Sequence, residues 1–444
     1  MCCNDGWNWR GASLVRGRWT VALGVLLGTA LVVLSGAGPS GRGVSATVAA
    51  ADWPQFLGPN GDGHSKETGL LDTWPAAGPK VVWRAPGGVG MSGIAVRGDL
   101  LATMVQTDGK QWLVAHDVST GKQKWRTELA PEYRNSMGNG PRGTPAIADD
   151  LVFAFTGEGI LAACRVADGK LVWSHAVVKE LGGQIADYGM ASSPILSGDH
   201  VLVLVGAPQA TVAAYARATG KLAWKGGADP AGYSSPAVRT IGGIPQVVVA
   251  SGSSILGLDP RTGASLWRYP YETDFNCNIA VPVVAGGQVF VSSGENHGCA
   301  LLELKPAAAG QFTVAETWTS FGPKSVMRNE WQTSVLLDGK LYGMDNVGGA
   351  GPVTHLTCVD AATGERLWQK PRFGKGNFIA ADGKLFVVTM QGELAVVRAT
   401  PKAFEEIGRG PVLGGTTRQA PSLANGRLYF RDDSEIVCVD VRRP

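Results

Sequence analysis

Apolar positions recur every second residue through most of the chain, in register with a repeated turn. Five segments align on a glycine: LVAHDVSTGKQKW, LAACRVADGKLVW, VAAYARATGKLAW, ILGLDPRTGASLW and LTCVDAATGERLW. In each, the glycine (Gly121, Gly169, Gly220, Gly263, Gly364) stands four residues before a tryptophan (Trp125, Trp173, Trp224, Trp267, Trp368). Eight residues before the glycine the side chain is always branched and apolar: Leu113, Leu161, Val212, Ile255, Leu356. Six before it the residue is small: Ala115, Ala163, Ala214, Gly257, Cys358. Period two is the signature of a strand, and small residues in its middle let a neighbouring sheet approach closely. The Thr-Gly or Asp-Gly pair supplies the positive φ of a tight turn. Asp117, Asp259 and Asp360 lie where a carboxylate accepts the turn's N–H groups, so they read as turn-holding residues and not as catalytic acids. The tryptophan on the return strand is expected to pack against the next repeat.

A second hairpin precedes each unit. AVRGDLLATMV, AIADDLVFAFT, ILSGDHVLVLV, VVAGGQVFVSS, VLLDGKLYGMD, IAADGKLFVVT and SLANGRLYFRD read apolar, turn, apolar, and AVRTIGGIPQVVVAS is the same hairpin with a longer loop. Eight units of four antiparallel strands make a β-propeller. Trp125, Trp173, Trp224, Trp267, Trp318 and Trp368 follow one another at 43–51 residues, with Trp318 marking a degenerate copy. The last unit, ending IVCVDVRRP, lacks a fourth strand, and PKVVWRAP around Trp83 is a surplus strand at the other end. The expected fold is therefore all-β: an eight-bladed propeller of four-stranded antiparallel blades, closed when the N-terminal strand completes the last blade. The seventh copy, LAVVRATPKAFEEIGR, lacks the glycine and the tryptophan, which leaves seven blades with a distorted insertion as the alternative.

Composition sharpens this picture. The 62 glycines and 25 prolines among 444 residues suit a chain that turns often. Arg10, Arg16 and Arg18 precede the apolar run Trp19 to Leu34, and a small-residue stretch ends in VAAAD, with Ala49 and Ala51 as candidate cleavage positions. That is an export signal over residues 1–51, or, uncleaved, a membrane anchor formed by residues 19–34. Residues 1–50 hold four Arg and one Asp, which accounts for the whole net charge of +3, so no electrostatic case for nucleic acid exists. Residues 52–79 read as an irregular strap and 80–444 as the propeller. Cys164, Cys277, Cys299, Cys358 and Cys438 are odd in number and spread over separate repeats, as buried free thiols are. The six histidines are scattered and no metal-ligand spacing occurs, so no metal site is expected.

These repeats resemble the PQQ-like repeat propellers, whose units look like L-Y-A-L-D-A-x-T-G-x-x-x-W. That family includes quinoprotein dehydrogenases and BamB. DWPQFLGPNGDGHSKETGLLDTWP (Asp52 to Pro75), GNGPRGTPAI and YSSPAV are similar to an exported, BamB-like subgroup. The resemblance implies two functions. Its enzymatic members hold PQQ and calcium under a disulfide of adjacent cysteines, but here the only adjacent cysteines are Cys2 and Cys3, in the leader. BamB is lipid-anchored through a Cys directly after the apolar segment, and none occurs between Cys3 and Cys164. No cofactor is expected.

No GxSxG, HExxH, P-loop or dinucleotide motif appears. Candidate binding residues come instead from position. Each connection from an outermost strand to the next innermost strand ends at one rim of the central channel, and these connections are rich in polar and aromatic groups: Arg134, Asn135, Asn139, Arg142, Tyr188, Tyr233, Asn276, Asn278, Arg328, Asn329, Glu330, Trp331, Gln332, Lys375 and Asn377. Turn preference explains many of them, and it explains Arg142, Arg328 and Trp331 least. Glu295, Asn296 and His297 look like ligands but read as a loop. The expected function is an exported, non-catalytic scaffold in the cell envelope, periplasmic or extracellular, holding another envelope protein or a small or peptide ligand. The competing classes are a PQQ- and calcium-dependent oxidoreductase acting on alcohols or sugars, and a carbohydrate-binding module.

Overall fold

The structure is a computed structural model, and it describes residues 51–349 and 353–443. Residues 1–50, on which the expected export signal or anchor falls, lie outside the described residues. Eight antiparallel sheets form the propeller. Blade 1 is built from Ala95–Arg97, Leu100–Thr107, Lys110–Asp117 and Gln123–Pro131, innermost strand first. Blades 2 to 6 repeat that order, with innermost strands at Ala146–Ile147, Ile195–Ser197, Ala237–Ile241, Val283–Ala285 and Val335–Leu337.

The seventh unit is a full blade: Gly376–Ala381, Lys384–Thr389, Glu393–Arg398 and Glu406–Pro411. Eight blades are thus present, and the seven-blade alternative is set aside. Blade 8 takes Ser422–Ala424, Arg427–Arg431 and Glu435–Asp440 from the C-terminal end, and Lys80–Pro86 supplies its outermost strand, with Trp83 opposite Cys438. The ring closes as the surplus strand around Trp83 requires.

The repeated turn explains the blade spacing. In blade 1, Asp117 Oδ1 accepts the N–H groups of Ser119 at 3.1 Å and Thr120 at 2.9 Å, and Gly121 adopts φ 71°. Side chains are excluded at Gly121 twice over, because a Cβ there would also lie 2.5 Å from the Trp83 ring of blade 8. Five tryptophans thus lie on the turn glycine of the following blade and donate their indole N–H to a carbonyl of that turn. Trp83 reaches Val118 O at 2.9 Å, Trp125 Val166 O at 2.9 Å, Trp173 Arg217 O at 2.8 Å, Trp224 Pro260 O at 2.9 Å and Trp318 Ala361 O at 3.0 Å. Trp368 finds Thr400 O at 2.7 Å, although blade 7 has no turn glycine. Trp267 departs in part. Its ring packs with Val289, Ala300 and Leu302 of blade 5, but its N–H goes back to Gln246 Oε1 at 2.6 Å, because blade 5 joins its outer strands through Ala307–Gln311 and not through the Gly turn.

Residues 52–75 cross the face that carries the hairpins between first and second strands. Trp53 pairs with Val96 of blade 1 through two 2.8 Å bonds, Pro54 O accepts from Ile147 of blade 2, and Gln55 Oε1 accepts from Leu196 of blade 3. Arg239 of blade 4 holds the carbonyls of Asn60 and Gly61, and His64–Ser65 runs parallel to Ala380–Ala381 of blade 7. Leu57 packs with Phe56, Ala237, Val281 and Ala420, side chains from three sectors of the ring, so the strap closes the channel at this end. Around the channel, hydroxyl groups tie one inner strand to the next: Ser92 to Gly143 O, Thr144 N to Ser193, Ser193 N to Ser235, Ser234 to Ala280 O, Val281 N to Thr333 and Ser422 to Ile94 O. The RGTP and SSP sequences before the inner strands are therefore structural. All five cysteines of the propeller are free thiols, four of them buried.

Candidate functional site

The connections between blades all lie on the face opposite the strap, where the channel mouth is. The structure divides the sequence-derived residues into three groups there.

One group is buried and engaged within the protein. Arg328, 3% exposed, forms a two-pronged ion pair with Asp345 at 2.7 and 2.9 Å and also donates to Pro323 O. Asn278 donates to Ser251 O and Tyr271 O, both at 2.9 Å, and accepts from Ser293. Asn329 donates to Met344 O and accepts from Ser334, while Gln332 Oε1 accepts from Met344 N. Asn377 donates to Arg418 O at 2.6 Å. These groups shape the loops from beneath.

A second group serves the loops themselves. Arg134 is exposed and paired with Glu132 at 2.8 Å. Asn135 accepts from Met137 N, donates its own backbone N–H to Asn139 Oδ1, and donates its side-chain amide to Asp187 O on the next connection. Asn276 is exposed with φ 54°. Glu295 and Asn296 take φ of 51° and 58°, a tight turn in which Asn296 Oδ1 accepts from Gly348 N.

The third group converges at the mouth. The Trp331 ring has Lys375 Nζ at 5.0 Å and the Arg418 guanidinium at 5.4 Å from its centre. Lys375 pairs with Glu330 at 2.7 Å, yet burial holds the Glu330 carboxyl above its ordinary range. Arg142, 8% exposed, lies 4.9 Å from the Tyr133 ring, and Tyr188 stacks on Tyr233 at 5.5 Å. Cys277 sits among these loops as a poor nucleophile: burial first, and then the carboxylates of Glu295, Glu330, Asp187 and Asp274, push its thiol up to about 11.

Sequence reasoning missed several members. Arg418 lies in the connection GGTTRQA between blades 7 and 8, which the missing Gly and Trp of the seventh unit conceal. Phe275, Met137 and Ile185 are the three most exposed large apolar side chains among the described residues, at 64, 49 and 47%. All three belong to connections, and Phe321, 45% exposed, ends the outermost strand of blade 5 on the same face. Apolar residues inside Gly- and Asn-rich loops carry no periodicity that would mark them. Among the described residues no group of three or more His, Cys, Asp and Glu is placed to hold a metal ion.

A family profile described as outer membrane protein assembly factor BamB matches residues 64–185, 109–346 and 353–443. The chain belongs to this family. BamB of Yersinia pestis is 22% identical over 259 residues, 57% of this chain and 63% of that protein. BamB of Shewanella oneidensis is 25% identical over 206 residues, 45% of this chain and 48% of that protein. The chain therefore spans about half to three fifths of the length of these curated relatives. Among solved structures, BamB from Moraxella catarrhalis superposes with a TM-score of 0.54 at 15% identity, covering 80% of this chain and 97% of that one. Quinohemoprotein alcohol dehydrogenase from Comamonas testosteroni gives 0.60 at 15% identity, covering 90% and 82%. At such identities both likenesses concern the fold, which BamB-family scaffolds and quinoprotein enzymes share.

Proposed function

We propose that this BamB-family propeller is exported to the cell envelope and acts there without catalysis, as a scaffold that holds another envelope protein on its connecting face. The observation that carries the reading is that the three most exposed large apolar side chains among the described residues all lie on that face. Phe275, Met137 and Ile185 stand out from three different connections and Phe321 from the end of the outermost strand of blade 5, while the opposite face is occupied by the strap. Exposed apolar groups rimmed by polar ones are the usual mark of a protein contact. The role named for the relatives, outer membrane protein assembly, agrees with a protein-holding surface.

The test places a photo-crosslinking amino acid at Phe275, Met137 or Phe321, and in parallel at Asn60 or Lys66 on the strap face, in the native host. The expected result is one discrete adduct from the connecting-face positions and none from the strap. Adducts from the strap face alone, or from neither face, overturn the reading.

A further inference from the structure

Arg142 comes from the connection between blades 1 and 2 and Arg418 from the one between blades 7 and 8, yet they grip the same loop at neighbouring carbonyls. Arg142 donates to Gly138 O at 2.7 Å and to Gly140 O at 2.6 Å, and Arg418 donates to Met137 O at 2.6 Å. Carbonyls satisfy N–H groups but do not neutralise charge. Neither guanidinium forms an ion pair among the described residues. The one carboxylate whose charge bears on Arg142 is Glu158, and Gln111 Nε2 holds both of its oxygens, at 2.6 and 2.8 Å. On the far side of Trp331, Lys375 already has Glu330 as its counter-ion. Arg142 and Arg418 are therefore two cations of the mouth with no ion-paired carboxylate among the described residues.

That arrangement opposes itself. Burial disfavours the charged form of Arg142, and the like charge of Arg418 adds to the effect. Next to Arg418 the Thr417 hydroxyl, 2% exposed, has no hydrogen-bond partner. The guanidinium, with its planar fork of N–H donors, is the side chain best shaped for planar or tetrahedral oxyanions. We propose that the channel mouth binds a small multivalent anion, a carboxylate or a phosphate, between Arg142 and Arg418 beside Trp331. The proposal deepens the scaffold reading, since it uses the same face, and it names what chemistry the mouth recognises.

The experiment is calorimetric titration of the purified protein with citrate and with pyrophosphate at constant ionic strength. The expected result is saturable binding of at least one of them, weakened tenfold or more in Arg418→Gln and unchanged in Arg134→Gln, whose guanidinium is exposed and already paired. Which anion binds separates carboxylate from phosphate recognition. Arg142→Gln is expected to behave like Arg418→Gln, but Arg142 also clamps its loop, so the Arg418 variant decides. No saturable heat in the wild type, or equal binding in Arg418→Gln, overturns the proposal. Crosslinking from Phe275 is a separate readout: adducts without anion binding remove the anion site alone, and anion binding without adducts removes the protein scaffold alone.

Discussion

Trp74 of the strap lies against Gly408 in the outermost strand of blade 7, so closely that a Cβ at Gly408 would overlap the indole. Gly408 faces Val396 next to the strand bulge, the register that Trp125 holds opposite Ala115 in blade 1 and Trp368 opposite Cys358 in blade 6. The blade that lacks its own tryptophan thus receives one from the strap. Trp74→Ala is expected to cost about 2–4 kcal/mol, somewhat below full burial of an indole. Gly408→Ala is expected to destabilise as well, by forcing the ring away. In the double variant Trp74→Ala, Gly408→Trp, part of the lost stability should return, as read by urea melts; no recovery would show that the register alone does not define the indole position.

The Arg328–Asp345 pair makes a second stability prediction. Both side chains are buried, and Arg366 Nη2 lies 3.6 Å from the same carboxylate. Removing one member strands the other, so Arg328→Ala is expected to cost about 3–5 kcal/mol, whereas replacing both with apolar residues of similar volume should cost much less. Denaturant midpoints of the two variants check this, and similar losses in both would argue that the pair itself stabilises.

Much of the fold was legible in the sequence, because the Gly–Trp coupling between neighbouring blades recurs with the strand alternation and exposes the period. Blade 8 was legible for a related reason: Trp83 stands where the missing fourth strand must carry its indole. The rim was less legible. Arg328 and Asn278 looked like ligands because sequence does not show that Asp345 or Ser251 lies beside them. Arg418 was hidden because its blade takes its tryptophan from Trp74, some 330 residues away in the chain. Long-range substitution of this kind leaves no local pattern.

Acid is expected to weaken the fold over two pH ranges. Burial lowers the pKa of His116 below 6.5, and the hydroxyls of Ser119 and Thr120 lower that of Asp117 to about 2 from 3.8. A group with a depressed folded pKa contributes stability above its unfolded pKa and loses it as pH falls through the folded value. Stability is therefore expected to decline first below about pH 6.5 and again between about 4 and 2. Asp117→Asn should flatten the lower stage in thermal melts taken across that range, and an unchanged slope would assign it to other carboxylates.

The last prediction separates scaffold from enzyme. An oxidoreductase of the quinoprotein type must retain PQQ tightly, and its calcium needs six to eight oxygen ligands. The mouth instead presents Trp331 between two cations, with its nearest carboxylate, Glu330, committed to Lys375. Titration of the purified protein with PQQ is expected to give no calcium-dependent component, so that heats with and without Ca²⁺ coincide. Weak calcium-independent binding, lost in Arg418→Gln, would place PQQ among the anions that the arginine pair accepts. Tight binding that requires Ca²⁺, followed by dye reduction with alcohols or sugars, would replace the scaffold reading with the enzymatic one.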